Sequence, residues 1–201
     1  PTHPLHIHNY RAYLTSRFAM TLGQYAIILI IGWQTYNLAR DGGMSIPAAS
    51  GQLALIGLLQ FVPLFVLTPF TGLAADRFDR RSLALLTIVL QMVCAGVLGW
   101  FTYAGALSLP ILFAVAVLLG VARGFAGPAY SALAPNLVPK ILLPTAIAVS
   151  TVAWQLGTIL GAAMGGYLYS LTPALPYAVA FGLYIVGFVA LSSVGKVPQP
   201  A

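Results

Sequence analysis

The stretch GLAADRFDRR, Gly72–Arg81, decides how this chain is read. Its last six residues hold five charges, Asp76, Arg77, Asp79, Arg80 and Arg81, and long uncharged runs lie on both sides. Over the whole chain of 201 residues only 6% are charged and 60% are hydrophobic, whereas a soluble domain carries about 25% charged residues. There is too little polar side chain to cover a water-exposed globule, so most of the surface faces lipid. The charged decamer is then a water-facing turn between two helices that cross a bilayer.

Working outward from that turn, six stretches are long and apolar enough to span, given that a helix needs about 20 such residues. They are Phe18–Leu38, Ser50–Ala74, Ser82–Tyr103, Leu109–Gly127, Thr145–Leu168 and Tyr177–Val194. Turn-forming or charged segments separate them: ARDGGMSIP, DRFDRR, YAGALSLP, APNLVPK and SLTPALP. A transmembrane strand would show about ten residues of strict alternation. These runs are longer and apolar all round, so the expected fold class is an all-α membrane bundle of six helices. The expected boundaries are an N-terminal segment at 1–17, the six-helix domain at 18–195 and the start of a central linker at 196–201, the chain being a fragment of a longer protein.

Arginine and lysine in short loops set orientation. Arg11, Arg17, Arg77, Arg80, Arg81, Lys140 and Lys196 all fall on one side of the six spans, and only Arg40, beside Asp41, falls on the other. Both ends and the 76–81 turn are therefore expected in the cytoplasm. The net charge of +6 reports this orientation. The basic residues form no dense stripe interleaved with aromatics, so nucleic acid is not an expected partner. Orientation explains the arginines but not Asp76, which falls at the C-terminal end of the second span, where the macrodipole favours cations. It needs a partner, either Arg77, Arg80 or Arg81 or the N-terminus of another helix.

At these residues the chain resembles the major facilitator superfamily. Gly72, Asp76, Arg77, Arg80 and Arg81, placed between the second and third of six spans, are similar to that family's signature loop, with Asp79 where the usual pattern has glycine. Arg123 with Gly127 resembles the family's fourth-helix arginine motif. GTILGAAMGG, with Gly157, Gly161, Gly165 and Gly166, resembles the fifth-helix motif of antiporters and exporters, with Ala162 in place of the proline. PAYSALAPNLVPK, Pro128–Lys140, is similar to the drug and siderophore branch that includes enterobactin and macrolide exporters. The resemblance implies the N-terminal half of a twelve-helix fold, built as two inverted three-helix repeats. It also implies secondary transport of a small amphipathic molecule by alternating access, as an exporter or antiporter, against a C-terminal six-helix half. In that reading the Gly72–Arg81 charges are a conformational latch, and Gly157, Gly161, Gly165 and Gly166 pack or gate a helix contact.

Among the remaining polar groups, Arg123 is the single charge inside a span. Such residues usually face the bundle interior, at an insertion cost of about 2.5–3.5 kcal/mol near the helix centre. Gln24, Gln34, Gln60, Gln91 and Gln155 also lie within spans, where an amide needs a hydrogen-bond partner or a wet cavity. Gln24, Gln60, Arg123 and Gln155 are the expected cavity-lining residues. His3, His6 and His8 sit in a terminus expected to be disordered, Cys94 is alone, and no metal site or cofactor is expected. Nucleotide-binding, serine-hydrolase and zinc-protease motifs are absent, and an intramembrane enzyme would show more ionisable groups at depth, so no enzyme is expected. A six-span subunit or enzyme working as a dimer, and an importer or uncoupled facilitator of the same fold, remain the alternatives.

Overall fold

The computed structural model describes residues 3–77 and 79–195, with the side chains of residues 71–77 outside that description. Six helices follow one another: α1 (His8–Asp41), α2 (Ile46–Arg77), α3 (Arg80–Tyr103), α4 (Leu109–Leu133), α5 (Leu143–Leu171) and α6 (Leu175–Ser192). Each contains a window long and apolar enough to cross a membrane. Short 3₁₀ turns at Pro4–His6, Ala134–Asn136 and Lys140–Leu142 complete the described elements. After α1 and α3 the chain reverses through Gly43 and Gly105, whose φ angles of +83° and +64° lie in the left-handed region that side chains disfavour.

The N-terminus departs from expectation. Residues 3–17 are ordered: the His3 imidazole accepts a hydrogen bond from the Leu5 amide, and α1 starts at His8. At 1.5 Å per residue, the 34-residue α1 is about 51 Å long, well beyond the ~30 Å hydrocarbon core. The first two turns are held because Tyr10 and Tyr13 are fully buried. The Tyr10 hydroxyl donates to the Ala146 carbonyl of α5 at 2.6 Å, and the Tyr13 and Ser150 hydroxyls lie 3.4 Å apart. The helix therefore begins where hydroxyls find partners on α5, not where the apolar run begins.

The main helix pairings are α1 with α5, α1 with α6, α2 with α4, α3 with α4 and α3 with α6. Exchanging α1 with α4, α2 with α5 and α3 with α6 maps this set onto itself. Because α1 and α4 are three crossings apart, they run in opposite directions. The bundle is thus two three-helix units of inverted topology, although no sequence repeat between them is visible. α1 and α4 are the most buried spans and α2 and α5 the least, with Phe61, Phe65 and Phe70 of α2 and Ile159, Leu160 and Tyr167 of α5 pointing outward.

Candidate functional site

Three features bear on function: a corner at the end of the bundle where α1 begins and α4 ends, two close helix crossings, and a cavity. The first is the corner between α2 and α3. Asp79 is the N-cap of α3: its carboxylate accepts from the Ser82 amide at 2.9 Å and the Ser82 hydroxyl at 2.7 Å. This answers one orphan N–H of the first turn and places an anion at the positive end of the helix dipole. Arg80 donates to the Ala132 carbonyl at the end of α4 at 3.2 Å. Arg81 donates to Leu191 O at 3.3 Å and to Ser192 O at the end of α6. Two cations thus cap the C-termini of two neighbouring helices, the favourable sign for a helix dipole. Gly72, Asp76 and Arg77 of the expected latch lie where side chains are not described.

The second feature is a pair of close helix crossings. Gly157, Gly161 and Gly165 of α5 are buried against α1. A Cβ built on Gly161 would lie 2.5 Å from the Leu22 carbonyl oxygen, one on Gly165 2.8 Å from Ala26 Cα, and one on Gly157 2.9 Å from Thr21 Cβ. None of these is an attainable contact, so only glycine permits the approach. Gly166 does not belong with them: it is exposed, and a Cβ there would make ordinary contact with Leu29 at 3.7 Å. Its position one residue on turns it about 100° off the seam. The α2–α4 crossing has the same character at one point, where a Cβ on Gly120 would lie 2.5 Å from the Gln60 carbonyl oxygen.

The third feature is a cavity of about 330 Å³ between α1 and α4, with α2, α3 and α5 contributing. Its polar lining comprises Arg17, Thr21, Gln24 and Tyr25 of α1, Gln91 of α3, Arg123, Tyr130 and Ser131 of α4, and Trp154 of α5. The Arg123 guanidinium donates to Gln60 Oε1 at 3.4 Å, so Gln60 orients the cation without itself lining the space. Arg17 donates to the Tyr13 hydroxyl at 2.8 Å, and the Tyr130 hydroxyl lies 2.7 Å from that of Ser16. Polar contacts thus tie the cavity wall to the α1–α5 clamp below it.

Of the expected lining residues, Gln24 and Arg123 are in place and Gln60 stands one hydrogen bond behind. Gln155 is exposed and does not line the cavity; its neighbour Trp154 does, because adjacent helical positions point about 100° apart. Gln91 was not singled out, yet it lines the cavity at 1% exposure, and neither of its amide atoms has a hydrogen-bond partner among the described residues. Its signal in sequence was an amide inside a span. Gln34, equally visible, instead accepts from Tyr177 and donates to Thr102.

Comparison with known proteins places this arrangement. The family model described as Major Facilitator Superfamily matches residues 13–201, nearly the whole chain. The chain belongs to the Major Facilitator Superfamily. As a member of that superfamily with six apolar helices, it is an integral membrane protein. It is 23% identical over 155 residues to the Staphyloferrin A transporter of Staphylococcus aureus, an alignment covering 74% of this chain and 39% of the relative. It is 27% identical over 170 residues to the uncharacterized transporter YwbF of Bacillus subtilis, covering 82% and 42% respectively. The chain spans about two fifths of the length of these curated relatives.

Proposed function

We propose that this chain is the N-terminal half of a secondary transporter that exports a small molecule across a bacterial inner membrane by alternating access. The observation that carries the reading is the cavity between α1 and α4, with the arginine-braced corner at one end and a glycine seam along its side. Its volume is at the lower end of the ~300–1,000 Å³ usual for ligand sites, as suits one wall of a site completed by a second half. The outward apolar faces of α2 and α5 are the surfaces on which that half is expected to dock. The N-terminus and the 76–81 turn are read as cytoplasmic from the one-sided distribution of arginine and lysine. The exporter direction is supported by the likeness of Gly157–Gly166 and Pro128–Lys140 to export branches. No enzymatic chemistry and no cofactor enter the proposal.

In this reading Asp76, with Gly72, Arg77, Arg80 and Arg81, latches the hairpin to the second half in one access state. Arg80 and Arg81 have a further role in bracing α4 and α6, so substituting them tests two things at once, and Asp76→Asn is the cleaner probe. In full-length protein at matched expression, Asp76→Asn is expected to insert normally and to transport more slowly. A wild-type rate with wild-type accessibility of both faces would remove the latch.

Energy coupling is constrained by the inventory of titratable groups. Asp41, Asp76 and Asp79 lie at helix ends and the histidines precede or open α1, while arginine stays protonated. The proposal therefore puts any essential proton carrier outside this chain, or no proton coupling at all. Asp41, Asp76 and Asp79 are neutralised singly in proteoliposomes and substrate-driven proton flux is measured. Coupling lost in one variant with transport retained would place the carrier here.

A further inference from the structure

We infer that the transported molecule carries an oxyanion group, a carboxylate or phosphate, that docks on Arg123 beside Gln91. The inference rests on the transport reading above and assigns that site its substrate class. Three observations support it. The cavity is lined by two cations, Arg17 and Arg123, and among the described residues no acidic side chain lines it. The chain has only three acids. Asp41 closes α1 at the far end from Arg17, and Asp79 is engaged as the cap of α3. Asp76 stands twelve residues beyond the cavity-lining Leu64 on α2, about 18 Å along the axis.

Arg123 therefore faces the cavity with a neutral amide, Gln60, as its hydrogen-bonded partner. A guanidinium shielded from bulk water seeks an anion, and its planar fork matches the two oxygens of a carboxylate or phosphate. The second, independent observation is Gln91, buried to 1% exposure, with neither amide atom paired among the described residues, and lining the same cavity. Buried polar groups in folded proteins are almost always paired, and an orphan calls for an explanation. A ligand oxygen accepting from Gln91 Nε2, with a ligand hydroxyl or amide donating to Oε1, supplies it. The Tyr184 hydroxyl is also buried, with no partner among the described residues. Gly23 admits its ring: a Cβ there would lie 2.7 Å from Tyr184 Cε1.

The test uses inside-out membrane vesicles carrying the full-length protein. A metabolite extract of the native host is separated by ion exchange into anionic, cationic and neutral pools, and accumulation from each is read by mass spectrometry against empty vesicles. The expected result is accumulation of an anionic species. It should fall about tenfold or more in Arg123→Gln, the loss expected when a charged hydrogen-bond partner is removed, and recover in part in Arg123→Lys. Gln91→Leu, close in size and without polar atoms, should lower accumulation of the same species while leaving the amount of inserted protein unchanged. An anionic substrate indifferent to both Arg123→Gln and Gln91→Leu would overturn the site. A cationic or neutral substrate would overturn the assignment and leave the transport reading standing. If that substrate were lost with Arg123→Gln, the counter-charge of Arg123 would belong to the protein itself. No accumulation from any pool would overturn transport and this inference together.

Discussion

The crossings of α1 with α5 and of α2 with α4 occupy corresponding places in the two inverted units, yet they are built differently. Along α1–α5, three glycines at four-residue spacing hold the helices close over two turns: Gly161 and Gly165 face the backbone of Leu22 and Ala26, and Gly157 faces the Thr21 side chain. At α2–α4 a single glycine, Gly120, makes the contact; a Cβ on Gly124, a turn further on, would lie a relaxed 3.7 Å from Leu64 Cα. Beside that contact the crossing carries the Gln60–Arg123 pair. One crossing is a continuous apolar seam of the kind small residues make in membranes. The other is pinned at one point and then opens enough for a charged side chain to enter the cavity. Two related crossings thus divide two tasks: one closes a flank of the cavity, and the other positions its cation.

The largest expected effect comes from filling the seam. Gly161→Leu forces α1 and α5 apart, and overpacking of this kind costs about 1–3 kcal/mol. It should appear as a lower unfolding temperature in detergent and less folded protein. Ala162→Leu should cost less, because Ala162 is off the seam and half-buried. Gly166→Leu, at an exposed position, should stay within about 0.5 kcal/mol of wild type. Equal losses in all three would mean that α5 does not meet α1 along this face.

The pinned crossing comes next. Gly120→Ala drives a methyl onto the Gln60 carbonyl and is expected to cost stability of the same order, about 1–3 kcal/mol, while shifting Gln60 away from Arg123. Gly124→Ala has room and should be close to neutral. Thermal unfolding of the two variants side by side checks this; matched losses would erase the distinction between a pinned crossing and a seam.

What could be read in the sequence follows from which interactions have a period. The spans were legible because lipid demands some twenty apolar residues, and the α5 glycines because they recur every four residues. Gly120 is one glycine among twenty, and Gly124, one turn on at the same four-residue spacing, has room for a Cβ, so the spacing did not reveal the contact of Gly120 with Gln60. The extension of α1 to His8 was hidden because it rests on hydroxyl pairs between Tyr10, Tyr13 and residues some 136 positions away. Arg123 stood out as a lone charge in a span. Gln91 did not, because glutamines inside spans look alike until the structure shows that Gln34 is paired and that Gln91 has no partner among the described residues. Asp79 was read as a departure from the signature loop; its position three residues before Ser82 makes it a helix cap, a local role the family pattern conceals.

A smaller effect is expected at that cap. Asp79→Ala removes the bonds to Ser82 and should destabilise by about 1 kcal/mol, the usual value for an N-cap, with Asp79→Asn retaining most of it. Unfolding temperatures of the two variants measure the difference. An unchanged Asp79→Ala would show that the arginine contacts to α4 and α6 hold the corner without the cap.

The most direct measurement is two-sided labelling at Gln24, which lines the cavity on α1. The single cysteine, buried Cys94, is first replaced by alanine, and Gln24→Cys is introduced into full-length protein. A membrane-impermeant maleimide is then applied to right-side-out and to inside-out vesicles. Alternating access predicts that Gln24→Cys reacts from either face, and that Asp76→Asn changes the ratio of the two rates by loosening the latch. Reaction from one face only, at a ratio indifferent to Asp76→Asn, would contradict it.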